Sequence, residues 1–90
     1  MSKDSEAPEE EERLKKALSH PLRAQALPLF DGRPISPNQV ARQLDVDVSR
    51  LAYHVRVLRQ LGCIELVETK QKRGALEHFY RATELPSRDG

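Results

Sequence analysis

The stretch Ser36 to Gly62, SPNQVARQLDVDVSRLAYHVRVLRQLG, decides the fold. Ser36-Pro37-Asn38-Gln39 is a helix start: Ser as N-cap, Pro at the first helical position, and Gln three residues after the cap to close a capping box. The helix it opens runs to about Leu44, with Val40, Ala41 and Leu44 facing inward. Asp45-Val46 leaves room only for a short turn. Asp47 is a second N-cap, and Val48, Leu51, Ala52, Val55 and Leu58 form the apolar stripe of a longer helix that stops at Gly62, the expected C′ residue. Two helices joined by so short a turn form a helix-turn-helix, whose second helix is free to enter a major groove.

That role asks the second helix for an outer face rich in hydrogen-bonding groups and positive charge. The outer positions read as Ser49, Arg50, Tyr53, His54, Arg56 and Gln60, with no acid after the Asp47 cap. Arg can fork onto guanine, Ser suits several bases, and Tyr or His can touch bases or phosphates. A solvated helix face would show the same residue types, so the architecture around them decides.

Working outward, Leu22 to Phe30 carries an apolar stripe and reads as a helix that bends or stops at Pro28. His20-Pro21 separates it from a helix beginning near Glu9, because a residue before proline avoids the α region. Asp31-Gly32-Arg33-Pro34 is a turn. Beyond Gly62 the period becomes two: Ile64–Thr69 and Leu76–Arg81 read as strands. Gln71-Lys72-Arg73-Gly74 forms the hairpin tip between them. Lys70, Lys72 and Arg73 make the hairpin a basic wing spanning residues 70–75, suited to phosphate contact. The fold class expected is mainly α with a small β hairpin: a winged helix-turn-helix with a three- to four-helix core.

Composition agrees. With 90 residues there is length for one domain. Hydrophobic residues are 38% and aromatics 4%, so the core must be aliphatic. The net charge of +1 conceals a split. Residues 1–12 hold one lysine against six acids, net −5, and the rest hold fourteen Lys and Arg against eight acids, net +6. An acidic tail on a basic domain favours a nucleic-acid partner. The expected organisation is a disordered acidic tail over 1–8, the DNA-binding domain over 9–83, and a flexible tail over 84–90.

Three segments resemble one family in the correct order. Leu18-Ser19-His20-Pro21-Leu22-Arg23 resembles the opening "L-x-H-P-x-R" of ArsR-type winged helix-turn-helix regulators. Ser49 to Gly62 resembles that family's recognition helix, and Arg73 to Arg81 its wing and last strand. The resemblance covers about Leu14 to Thr83. It implies a bacterial transcriptional regulator, usually a homodimer and most often a repressor. Asp45 stands where the family commonly has a turn glycine. The metal-sensing cysteine cluster of its metalloregulatory members has no counterpart here, and neither has the C-terminal dimerisation helix, so a homodimer is expected to use the N-terminal helix.

The sequence therefore predicts a sequence-specific regulator of duplex DNA. Its recognition helix is 47–61, and its contacts are Ser49, Arg50, Tyr53, His54, Arg56, Lys72 and Arg73. The alternative is a winged-helix protein-interaction module that has lost DNA binding. Cys63 alone allows no intrachain disulfide and reads as a small buried apolar residue. His20, His54, Cys63 and His78 lack metal-ligand spacing, so no metal or cofactor is expected. His20 reads as a helix-boundary contact and His78 as a cross-strand neighbour. No phosphate-binding glycine loop or nucleophile elbow suggests an enzyme. No apolar run long enough for a leader or a membrane span is present, and the cytoplasm is the expected compartment.

Overall fold

The computed structural model describes the backbone of residues 3–83 and the side chains of residues 11–83. Four helices, α1 (Lys3–Leu18), α2 (Pro21–Ala26), α3 (Pro37–Leu44) and α4 (Val48–Gln60), precede a hairpin of β1 (Ile64–Lys72) and β2 (Ala75–Ala82). A 3-10 turn, Leu27–Phe30, follows α2 directly. Pro28 explains the change of winding, because it brings no N–H to an α ladder. Helix α1 starts at Lys3, earlier than the expected Glu9, so residues 3–8 are helical where a disordered tail was expected. Pro8 is accommodated because its fixed φ is helical, at the cost of the bond its missing N–H would give to the Asp4 carbonyl. The expected C-terminal tail, 84–90, and the first two residues lie outside the described residues.

The junction between α1 and α2 is made by His20. Its backbone is extended (φ −107°, ψ 133°), and its Nδ1 accepts the Leu22 N–H at 3.1 Å, so an imidazole serves as N-cap. The α3 capping box forms as read: Ser36 Oγ accepts from Gln39 N at 3.2 Å, and Gln39 Oε1 accepts from Ser36 N at 3.0 Å.

Both helices of the helix-turn-helix end in the same way. Asp45 turns left-handed (φ 57°), its N–H bonding back to the Arg42 carbonyl while Val46 N–H reaches Ala41 O at 3.0 Å. Gly62 (φ 78°) repeats the pattern, with Cys63 N–H on Leu58 O at 3.0 Å. These are Schellman closures, which satisfy the terminal carbonyls and ask for a positive φ at one residue. Glycine meets that demand freely; Asp45 meets it as one of the few side chains that tolerate the left-handed region.

The core is aliphatic around one aromatic. Ala17, Leu22, Ala26, Phe30, Val40, Ala41, Leu51, Val55, Leu58, Cys63 and Ile64 are buried together, so every helix and the root of β1 contribute to it. The strands are longer than expected and the turn is only Arg73-Gly74, both at positive φ (50° and 81°) as a two-residue I′ turn requires. Lys70 and Lys72 are therefore ladder residues, paired opposite Glu77 and Ala75, and not part of the tip. A bulge at Val67 shifts the register between Leu66 and Glu68. Ile35 gives β2 a second partner on its other side: its N–H and C=O exchange bonds of 3.0 Å with Tyr80. Among the described residues no helix is long and apolar enough to cross a membrane.

Candidate nucleic-acid interface

Helix α4 opens on Asp47, whose Oδ2 accepts the Arg50 N–H at 3.1 Å. This cap fixes the first turn and leaves the side chains of Ser49 and Arg50 exposed. One turn on, Tyr53 is 55% exposed, and Arg56 continues the exposed face. Val48, which the apolar stripe places inward, is 41% exposed. It starts the helix before the core begins, and so joins the outer face as an apolar group able to meet a thymine methyl.

His54 corrects the sequence reading. It is 5% exposed and lies among the core-facing residues of α4 with Leu51, Val55 and Leu58. Those four positions are i, i+3, i+4 and i+7, the spacing of an inward stripe; the polar identity of histidine had concealed this. The ring stacks on His20, centroids 4.2 Å apart and planes at 39°, and Tyr53 meets it edge-on at 5.1 Å. Arg23 Nη1 lies 3.2 Å from His54 Nδ1. A guanidinium can only donate, so Nδ1 accepts and the ring proton of neutral His54 sits on Nε2. Burial, followed by the charges of His20, Arg23 and Arg50, holds His54 below its ordinary pKa of 6.5.

Arg23 was not singled out from the sequence as a structural anchor, yet it joins three helices. Its Nε donates to Ala17 O at 3.2 Å, and its Nη2 donates to Lys16 O at 2.9 Å and Ser19 Oγ at 3.3 Å. These bonds close the C-terminus of α1, where a cation also complements the helix dipole. Through His54 the same guanidinium reaches α4. The end of α1, the start of α2 and the middle of α4 are thus held at one point.

On the wing, Arg73 occupies the turn and is exposed. Lys72 is exposed too, but its Nζ lies 3.4 Å from Glu77 Oε1. The other oxygen of Glu77 accepts from the buried Ser36 hydroxyl at 2.8 Å. That hydrogen bond first, then Lys72 and Arg42, holds the Glu77 carboxyl below its ordinary range. One serine thus caps α3 and anchors the wing. At the C-terminal end of α4, the Arg59 guanidinium lies 5.8 Å from the Tyr80 ring centre. His78 is exposed and stands opposite Thr69 in the ladder, while Cys63 is buried and its thiol pKa is pushed up by desolvation.

The fold has clear relatives among solved structures. HlyU from Vibrio cholerae in its reduced form superposes with a TM-score of 0.76 at 20% identity, over 96% of this chain and 85% of that one. The transcriptional repressor BigR from Xylella fastidiosa gives a TM-score of 0.69 at 28% identity, over 93% and 82%. The homodimeric winged helix-turn-helix DNA-binding domain of Mb0332 from Mycobacterium bovis, a possible ArsR-family regulator, gives 0.65 at 17% identity, over 91% and 71%. No protein-family model matches the chain, and no curated protein matches it in sequence. The likeness establishes the winged helix-turn-helix fold expected from the sequence.

Proposed function

We propose that this chain is a sequence-specific duplex-DNA-binding transcriptional regulator of the ArsR type, acting as a repressor in the bacterial cytoplasm by binding and not by catalysis. The observation that carries the reading is the first half of α4. Asp47 caps it, and it presents Val48, Ser49, Arg50 and Tyr53 outward with no acid beyond Asp47. Arg50 forks onto a base edge, Ser49 and Tyr53 contact bases or phosphates, and Arg56 meets the backbone. Arg73 rests on the adjacent backbone. Lys72, whose side chain is 68% exposed, joins it by exchanging its ion pair with Glu77 for a phosphate, and Glu77 keeps the hydrogen bond from the Ser36 hydroxyl. His54 leaves the contact set and supports the helix from beneath. The likeness to BigR, a transcriptional repressor, points the same way.

The regulator works as a homodimer joined through α1, where Leu18 is 43% exposed; Mb0332, with the same fold, is homodimeric. The test is selection of bound duplexes from a random pool near physiological salt. An enriched inverted repeat with half-sites about one helical turn apart is expected of the dimer. A single half-site would overturn the dimer. Failure to bind any duplex, even at low salt, would overturn DNA recognition in favour of a protein-interaction module.

A further inference from the structure

Between the wing and α3 lies a cleft of about 820 Å³ that the DNA contacts proposed above leave unused. Its lining divides by chemistry. Leu29, Ile35 and Phe79, all half-buried, supply an apolar floor. Arg33 from the loop before α3, Arg42 from α3 and Lys70 from β1 supply positive charge. Glu68 is the one acid in the lining and pairs with Lys70 at 3.5 Å, so three cations face one carboxylate. Among the described residues neither Arg33 nor Arg42 has a salt-bridge partner. Lys70 already lies 5.3 Å from the Phe79 ring centre, which brings positive charge beside the apolar floor.

We propose that this cleft binds a small organic anion, an acidic head attached to an aryl or aliphatic body. The head, a carboxylate or phosphate, meets the guanidinium groups, whose planar forks suit either one. The body covers Leu29, Ile35 and Phe79. A sugar–phosphate strand would satisfy the cations but leave the apolar floor without a partner; a molecule with both halves uses the whole lining. Because Arg42 belongs to the helix-turn-helix and Lys70 to the wing, one ligand touching both fixes the wing relative to α3. Its effect on operator binding rests on the DNA-binding reading, but occupancy of the cleft does not.

The test titrates the full ¹⁵N-labelled chain with phenyl phosphate and, separately, with inorganic phosphate, without DNA. The expected amide shifts cluster at residues 29–35, 39–43, 68–70 and 79. Phenyl phosphate is expected to bind about tenfold more tightly than inorganic phosphate, the gain from covering part of an aryl ring. Arg42→Gln, at an exposed position, is expected to lower phenyl phosphate affinity about tenfold, as loss of one charge-assisted hydrogen bond does. Equal binding of the two probes would overturn the proposal, because the apolar floor would then play no part. So would shifts scattered over the surface, or none at about 10 mM ligand. Failure of phenyl phosphate combined with a flatter salt dependence of duplex binding in Arg42→Gln would make the cleft a DNA-backbone contact and overturn the small-anion site. Failure of duplex selection alone would leave these titrations standing and would refute only the DNA reading.

Discussion

Replacing Arg23 by alanine tests whether the α1–α2–α4 junction is held by one guanidinium. Of its four hydrogen bonds, those to Lys16 O and Ser19 Oγ are exposed, and water replaces them at little cost. The bonds to Ala17 O and His54 Nδ1, both 3.2 Å, are partly buried. Each contributes about 1–1.5 kcal/mol, and the second leaves a buried ring nitrogen without its donor. The expected loss is therefore about 2–3 kcal/mol, a fall in melting temperature of roughly 8 °C or more for a domain of this size. Urea and thermal unfolding measure it, and a cycle with His54→Leu isolates the Arg23–His54 part, expected at about 1 kcal/mol. The pH dependence gives an independent readout. His54 titrates below 6.5 in the folded chain, so at pH values just under 6.5 the unfolded chain binds the proton and the folded chain resists it. Stability is thus full above 6.5, falls as the pH drops through that value, and levels off below the folded pKa. Arg23→Ala removes one of the charges that depress His54 and makes this fall shallower. A loss under about 0.5 kcal/mol with no coupling to His54 would refute the reasoning, since such a value is that of an ordinary surface substitution.

Other substitutions examine the interface and its supports. Arg50→Ala is expected to cost about 1–3 kcal/mol on the selected operator and much less on random duplex, measured by fluorescence anisotropy; equal losses on both would make Arg50 a phosphate contact only. Ser36→Ala removes the α3 cap and the hydroxyl that Glu77 accepts from, so chemical denaturation should show a loss of about 1–2 kcal/mol. Asp45→Gly places glycine at a left-handed φ of 57° and is expected to stabilise the chain by about 0.5–1 kcal/mol, seen as a higher urea midpoint at unchanged slope. Cys63, buried and with its thiol pKa pushed up, should react with a thiol reagent near neutral pH only as fast as the chain opens; labelling at the rate of a free thiol would contradict its burial.

The parts of the fold written in local chemistry were legible. Ser36, Pro37 and Gln39 dictate a capping box, Asp47 a second cap, and Gly62 a left-handed stop, and all three form where their residue types require. The hairpin is legible too, but a tip over Gln71 to Gly74 is too wide, because Gln71 and Lys72 look like turn residues while Arg73-Gly74 alone closes the I′ turn. The start of α1 was placed late because acidic residues and Pro8 suggest a loose tail, whereas the helix continues back to Lys3. At the candidate site the division is sharper. Ser49, Arg50, Tyr53 and Arg56 stand outside as their spacing indicated. His54 was misplaced because polarity was weighed over its position in the inward stripe. The partners that make its burial tolerable, Arg23 and His20, are more than thirty residues away in the chain, and no local pattern shows that they meet.

The wing's outer strand has a consequence for how the chain survives in a crowded solution. Strand β2 is paired on both sides, by β1 and by Ile35, but β1 has a partner on one side only among the described residues. Nine residues with a free edge are an invitation to add a strand from another molecule. The Val67 bulge breaks the regular hydrogen-bonding rhythm that an incoming strand would need. Glu65 and Glu68, then Lys70 and Lys72, set two negative and two positive charges along the same stretch. Smoothing that bulge while neutralising Glu65, Glu68 and Lys70 would leave the exposed face of α4 untouched and still yield a protein prone to stack edge to edge.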